Sequence, residues 1–246
     1  MVQGACQSTL AGAATTSSAA AAARPQLAPL WHTRALVLLL LSVAATGSML
    51  GQRLDSLTSS AARPAERYVP LLIVNLALAL YVARFGLARS SFSDLLWLTR
   101  KRPSASSLLA DAAWAAALAV SLFAAENLLQ TWLGFPESVA AHGLVAESTS
   151  EQCGWLGLAV SIGFSEELVY RGYLQRQLAL PSGQAWLGVA LQALLFGIAH
   201  AEQGGQAVAR FAAYGLGFGW VAARRRTLLP GIMAHVALDL CAGLGR

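Results

Sequence analysis

The residues with the clearest potential for chemistry form a charged cluster inside an apolar stretch: Glu166, Glu167 and Arg171. Each charge near the centre of a bilayer costs roughly 2.5–3.5 kcal/mol, so such groups are normally paired, face the protein interior and mark a functional site. Glu167 and Arg171 are four residues apart and can pair on one helix face. Such a pair by itself is typical of an ion pair that supports helix packing. Glu166 lies about 100° further around the helix and has no charged partner at these spacings. Glu166 is therefore predicted to be available for chemistry.

Two histidines on other apolar stretches extend this set. His200 follows Phe196 by four residues, and His235 precedes Asp239 by four. On a helix the second spacing puts Asp239 beside His235, where a carboxylate can orient an imidazole or join it around a metal ion. His200 alone is also typical of a hydrogen-bonded interior histidine. Together with Glu166, these groups suit the activation of a water by a general base or a metal and the stabilisation of an oxyanion.

The elements that must position these residues are predicted to be membrane helices in an all-α, polytopic transmembrane bundle. Only 12% of the 246 residues are charged and 56% are hydrophobic, whereas a soluble domain has about 25% charged residues. Seven apolar stretches approach the roughly 20 residues that cross the hydrocarbon core: 34–51, 69–87, 107–131, 154–176, 184–201, 207–223 and 227–245. We expect the active site between the fourth, fifth and seventh. Residues 31–246 are predicted to form the transmembrane domain.

The predicted spans place the candidate residues at unequal depths. Glu166 and His235 fall near the middle of their spans, whereas His200 falls near the end of its span. Three groups that serve one water should share a depth, so the fifth helix must start later than predicted or the helices must be unequal and tilted.

The N-terminal residues 1–30 are rich in Ala, Ser and Thr, and no acidic residue precedes Asp55. This composition predicts a disordered tail, with an organelle targeting segment as the alternative. Twelve of the 17 Lys and Arg residues fall on one side of a seven-span arrangement, which places the N-terminus in the cytoplasm. We expect a bacterial plasma membrane, with a plastid or endoplasmic reticulum membrane as the alternatives.

The net charge of +5 does not indicate a nucleic-acid partner, because the basic residues lie mainly in loops that flank apolar stretches. The expected partners are membrane lipid and a peptide or membrane-anchored protein substrate. Three cysteines, at positions 6, 153 and 241, are too few and too scattered for a disulfide framework or a zinc ribbon.

The order of the motifs on apolar helices resembles the CPBP family of intramembrane proteases. That family includes the type II CAAX prenyl endopeptidases and the bacteriocin-processing or immunity proteins of the "Abi" group. The resemblance covers about residues 154–242 and rests on three motifs in sequence: Glu166-Glu167-x-x-x-Arg171, Phe196-x-x-x-His200 and His235-x-x-x-Asp239. It implies hydrolysis of a peptide bond within or near the membrane, with Glu167 and Arg171 fixing the helix.

The resemblance also implies roles for the four candidate catalytic residues. Glu166 would be the general base that deprotonates water, and His200 would help to hold that water. His235 and Asp239 would polarise the scissile carbonyl group. The family pattern admits Asn or Asp at position 239, and an ionised Asp only accepts hydrogen bonds. Asp239 therefore favours orienting His235 or binding a metal over donating to an oxyanion.

The cofactor is left open by the resemblance, since the family is labelled a metalloprotease family while a metal-free glutamate mechanism has also been argued for it. The metal hypothesis is Zn²⁺ or another divalent ion held by His200, His235 and Glu166. Two other functions fit parts of the pattern. One is a catalytically idle scaffold or immunity protein, although such a protein need not keep Glu166 and both histidines. The other is a proton-coupled transporter, although the spans show no inverted-repeat symmetry.

Overall fold

The apolar stretches fold into helices throughout the part of the chain that the structure, a computed structural model, describes: residues 26–57, 64–86, 91–96, 104–134, 146 and 148–244. None of these residues forms a β-strand, so the predicted all-α class is confirmed. The α-helices are α1 Leu30–Leu57, α2 Pro64–Gly86, α3 Phe92–Leu95, α4 Ala105–Leu133, α5 Thr149–Glu166, α6 Gln175–Ala179, α7 Ala185–Ile198, α8 Gly205–Arg225 and α9 Leu229–Leu244. A π-helix, π1, covers Glu167–Leu174 between α5 and α6.

Each of the seven predicted stretches contains a helix. Among the described residues, three helical segments are long and apolar enough to cross a membrane by length and composition, namely Leu30–Met49, Tyr68–Phe85 and Ala105–Trp132. They expose large apolar side chains such as Leu38 and Leu80, which are 65% and 69% exposed and suit a lipid environment. The helices α7 and α9 are also apolar but shorter. An integral membrane protein is therefore supported, and the count of seven spans stays a prediction.

Helix ends follow local side-chain chemistry. The Ser104 hydroxyl accepts a hydrogen bond from the Ser107 N–H at the start of α4, and Gly134 ends that helix with a φ of 62°. The start of α5 is a capping box in which Ser148 and Glu151 satisfy each other's backbone N–H groups. This cap fixes where the helix that carries Glu166 begins.

Glycines bring the site-bearing helices into close contact. A Cβ at Gly163 of α5 would lie 2.8 Å from Val236 Cγ2 and 3.5 Å from His235 Cβ, so α5 and α9 pack closely at this point. Between α7 and α8, a Cβ at Gly215 would lie 2.7 Å from Ala193 Cα. Gln192 Nε2 adds a hydrogen bond of 2.8 Å to the Gly215 carbonyl across this interface. Close backbone contact therefore sets the spacing of the helices around the site.

The start of α1 and the residues just before it pack against the end of π1 and the residues that follow it. The Leu27 N–H donates to Gln177 Oε1 at 3.0 Å, and Gln177 Nε2 donates to the Ala28 carbonyl at 2.8 Å. His32 Nδ1 and the Tyr173 hydroxyl form a buried hydrogen bond of 2.6 Å. The predicted tail 1–30 otherwise lies outside the described residues.

Candidate active site

Glu166 and Glu167 lie at a junction between two kinds of helix. The helix α5 ends at Glu166, and π1 begins at Glu167. At the end of π1 the Gln175 N–H donates to the Tyr170 carbonyl, five residues earlier. All eight residues of π1 are buried. The sequence predicted one regular helix over 154–176, so the π-helix is a departure from that prediction, of a kind frequent at functional sites.

The predicted ion pair between Glu167 and Arg171 is present and fully buried. Glu167 Oε1 lies 2.8 Å from Arg171 Nη1, and both side chains are 0% exposed. The guanidinium also lies over two aromatic rings, with Arg171 Cζ 4.4 Å from the Phe196 ring centre and 4.9 Å from the Phe218 ring centre. Pairing and aromatic contact together compensate the removal of this cation from water.

Glu167 also contacts His235, a relationship that the sequence did not predict. His235 Nδ1 lies 3.3 Å from Glu167 Oε1. A carboxylate paired with a guanidinium accepts hydrogen bonds, so Nδ1–H is the donor and His235 Nε2 is the nitrogen left for chemistry. Gly231, four residues before His235, leaves room for the carboxylate, because a Cβ at residue 231 would lie 2.6 Å from Glu167 Oε2.

The Nε2 atom of His235 faces the other two carboxylates. It lies 3.6 Å from Glu166 Oε2 and 3.9 Å from Asp239 Oδ2. Both separations exceed a direct hydrogen bond. The sequence favoured Asp239 as the residue that orients His235. In the structure the orienting hydrogen bond joins His235 to Glu167. Asp239 instead accepts a hydrogen bond of 2.9 Å at its backbone carbonyl from Trp155 Nε1.

His200 lies beyond the end of α7 rather than inside it, because α7 ends at Ile198. Its Nδ1 lies 2.8 Å from the Phe196 carbonyl, which can only accept, so Nδ1–H donates and Nε2 remains. The ring stacks on Phe211 with a centre separation of 3.7 Å and an interplanar angle of 16°. His200 lines the same cavity as His235.

That cavity has a volume of about 1020 Å³ and is lined by all four predicted catalytic residues, Glu166, His200, His235 and Asp239. They come from the end of α5, the segment after α7, and α9. Apolar side chains of α1 and α2 form another part of the wall: Leu40, Val43, Ala44, Leu71, Val74 and Leu78. The structure therefore combines these four ionisable side chains with an apolar wall in one space.

The cavity contains a second polar cluster that was not predicted from the sequence. Glu126 Oε2 lies 3.0 Å from Arg210 Nε and accepts a hydrogen bond of 2.9 Å from the Tyr214 hydroxyl. Gln130 Nε2 donates to Glu126 Oε1 at 2.7 Å. The sequence did contain a signal, because Glu126 lies inside the predicted third span, where a charged side chain is costly.

The proposed metal ligands do not form a ligand set in this structure. Within the described parts of the chain, no group of three His, Cys, Asp or Glu side chains is arranged to hold a metal ion. Glu166, His235 and Asp239 lie near one another, but His200 is held against Phe196 and Phe211.

Residues 148–241 match the family model of the type II CAAX prenyl endopeptidases, Rce1-like. The match starts at the N-cap of α5 and ends within α9, so it covers every candidate residue of the predicted site. It confirms the predicted resemblance to CPBP family proteases. No curated protein and no solved structure matches the chain.

Proposed function

We propose that this protein, whose residues 148–241 match the Rce1-like proteases, is an intramembrane endopeptidase that hydrolyses peptide bonds with a water activated by Glu166. One observation carries the proposal. Glu166 Oε2 lies 3.6 Å from His235 Nε2 at the wall of a large cavity. The two residues are far apart in the chain, since Glu167, the neighbour of Glu166, and His235 are 68 positions apart. A base and an imidazole from distant helices thus face one space that can hold a substrate.

A water that lies beside Glu166 and His235 can be shared by both groups. At 3.6 Å the two groups are too far apart for a strong direct hydrogen bond, but one water can contact both. Glu166 would take a proton from this water as the water oxygen adds to the scissile carbonyl carbon. The same carboxyl group would then give that proton to the leaving nitrogen as the C–N bond breaks.

The imidazoles would act on the carbonyl oxygen and the water. His235 is held at Nδ1 by Glu167, so Nε2 points toward Glu166 and Asp239. In our proposal His235 carries a proton on both ring nitrogens, as the surrounding carboxylates Glu166, Glu167 and Asp239 favour, and its Nε2–H polarises the scissile carbonyl. His200 uses Nδ1 for the Phe196 carbonyl, which leaves Nε2 to hold the water. Groups preorganised in this way stabilise the charge that develops in the transition state.

Glu167 and Arg171 would support the site rather than react. Both are 0% exposed, and Glu167 is shared between Arg171 and His235. The expected substrate is a peptide or a membrane-anchored protein, because the cavity wall from α1 and α2 is apolar. A cytoplasmic N-terminus and a bacterial plasma membrane belong to the same proposal.

A divalent metal ion remains part of the proposal as an expectation for His200, His235 and Glu166. When bound, Zn²⁺ would lower the pKa of a water and polarise a carbonyl group. The chain's own side chains, Glu166, His200 and His235, act on the water and the carbonyl group in the proposed hydrolysis.

The decisive experiment compares the wild-type protein with Glu166→Gln in liposomes. The substrates are a farnesylated peptide ending in a CAAX sequence, the same peptide without the lipid, and a membrane extract in which new protein N-termini are mapped. Loss of the base should lower the cleavage rate about 10²- to 10⁴-fold. Asp94→Asn is the matched control, since Asp94 is an exposed carboxylate on the short helix α3.

Three results would count against the proposal. Cleavage by Glu166→Gln at more than about a tenth of the wild-type rate would remove Glu166 as the base. No cleavage of any substrate by a folded wild-type protein would favour the idle scaffold. Proton flux across the liposome membrane that requires Glu166, without cleavage, would favour the transporter.

A further inference from the structure

The helix α8 carries none of the motif residues, yet it contacts both candidate histidines. Phe211 stacks on His200 with ring centres 3.7 Å apart and an interplanar angle of 16°. Phe218 stacks on His235 with ring centres 5.0 Å apart and an angle of 26°. The two phenylalanines thus each present a ring face to a different imidazole.

The spacing of the two phenylalanines makes this arrangement a property of α8. Seven residues are close to two full α-helical turns, so Phe211 and Phe218 lie on one face and are about 10.5 Å apart along the axis. Both lie within the single helix Gly205–Arg225. A rigid helix therefore fixes the distance between the two rings against which His200 and His235 rest.

Each imidazole is held by a hydrogen bond at Nδ1 and by a ring at its face. His200 donates to the Phe196 carbonyl and stacks on Phe211. His235 donates to Glu167 and stacks on Phe218. Rotation about χ2 of a histidine is only weakly restricted by the side chain itself. The hydrogen bond fixes the position of one ring nitrogen, and the stacked ring fixes the plane of the imidazole. Together they fix the direction in which Nε2 points.

We propose that Phe211 and Phe218 are positioning residues that fix the ring planes of His200 and His235 for the reaction. This inference rests on the proposed function for its catalytic meaning. The restriction of the two ring planes follows from the stacking geometry alone. A leucine would fill much of the same volume, but it has no flat face to restrict the imidazole.

Phe211 gives the sharper test, because it is only partly buried and lines the cavity, whereas Phe218 is 1% exposed. Phe211→Leu removes the stacking face, and Phe211→Tyr keeps it. The matched control is Trp220→Leu, which also replaces an aromatic ring of α8 but at a position that is 55% exposed and contacts Trp114.

The first readout does not depend on proteolysis. In protein labelled at histidine, NMR should show the ring protons of His200 shifted upfield by the ring current of Phe211, with the signal assigned by its loss in His200→Gln. Phe211→Leu should abolish the shift, while Phe211→Tyr and Trp220→Leu should retain it. A His200 signal unchanged in Phe211→Leu would overturn the stacking.

The second readout is kinetic. We expect Phe211→Leu to lower kcat about 10- to 100-fold with little change in KM, because the misplaced group acts in the chemical step. Phe211→Tyr should restore most of kcat. A loss of the NMR shift with unchanged kcat would overturn the positioning role while leaving the protease proposal intact. An inactive wild-type protein that still shows the shift would overturn the proposed function and, with it, the catalytic role of Phe211.

Discussion

Gly231 and Glu167 pack so closely that a Cβ at residue 231 would lie 2.6 Å from Glu167 Oε2. The carboxylate would have to move, since it is the movable end of that contact, and its bonds to Arg171 and His235 would stretch. We expect Gly231→Ala to lower kcat about 10-fold or more while the protein still folds. Gly157→Ala on α5 is the control, because a Cβ there meets nothing within 4 Å. Equal activity of the two variants in the peptide assay would contradict this reason for a glycine at 231.

A double-mutant cycle tests the buried pair of Glu167 and Arg171. Glu167→Gln leaves the buried Arg171 guanidinium without its counter-charge, and Arg171→Met leaves Glu167 with His235 alone, so each single change should cost about 3–5 kcal/mol. The double variant should be less destabilised than the sum of the two, as measured by unfolding in detergent. Strict additivity would show that the 2.8 Å contact does not couple the two residues.

Gly163 sets the separation of α5 and α9 near Glu166. A Cβ there would lie 2.8 Å from Val236 Cγ2 and 3.2 Å from the Val236 backbone nitrogen. Gly163→Ala should push the helices apart by a few tenths of an ångström and lower kcat about threefold to tenfold, since small misplacements are costly in catalysis. The same Gly157→Ala control applies. Wild-type kcat in Gly163→Ala would mean that the 3.6 Å separation of Glu166 and His235 tolerates this movement.

Asp239→Asn combined with chelation discriminates between the metal and metal-free mechanisms. If a metal ion is bound, a chelator should abolish cleavage, Zn²⁺ should restore it, and Asp239→Asn should lower it by removing a negative charge. If Asp239 faces the oxyanion, Asn supplies an N–H donor and should preserve or raise activity. Bound metal, measured directly on the purified protein, gives an independent readout. Full activity in chelator together with an active Asp239→Asn variant would leave the metal-free mechanism.

The residues of the site could be selected from the sequence because charges in apolar helices are costly and therefore informative. The same reasoning predicted the Glu167–Arg171 pair, which local helix spacing determines. It did not predict the contact of Glu167 with His235, because that contact depends on how α9 packs against π1. The π-helix was not predicted for a similar reason. Its hydrogen bonds join residues five apart, and over only eight residues this gives no hydrophobic period that differs from that of an α-helix.

The end of α7 shows a further limit of periodicity. Ala199 and Ala201 continue the apolar pattern of 184–198 on either side of His200, so the sequence predicted a helix to 201. In the structure the His200 side chain bonds to the Phe196 carbonyl beyond the helix end. Local side-chain to backbone hydrogen bonds compete with helical ones and can end a helix where hydrophobicity alone would extend it.

The hydrogen bonds that join Leu27, Ala28 and His32 to distant residues have a consequence for the synthesis of this protein. Their partners, Tyr173 and Gln177, are 141 to 150 residues later in the chain. The first helix is therefore synthesised long before the groups that hold its start, and this long-range contact can close only late in folding. A cut or an insertion between residues 26 and 33 would leave Gln177 and Tyr173 without these partners, on the helical segment that directly follows Glu167 and Arg171.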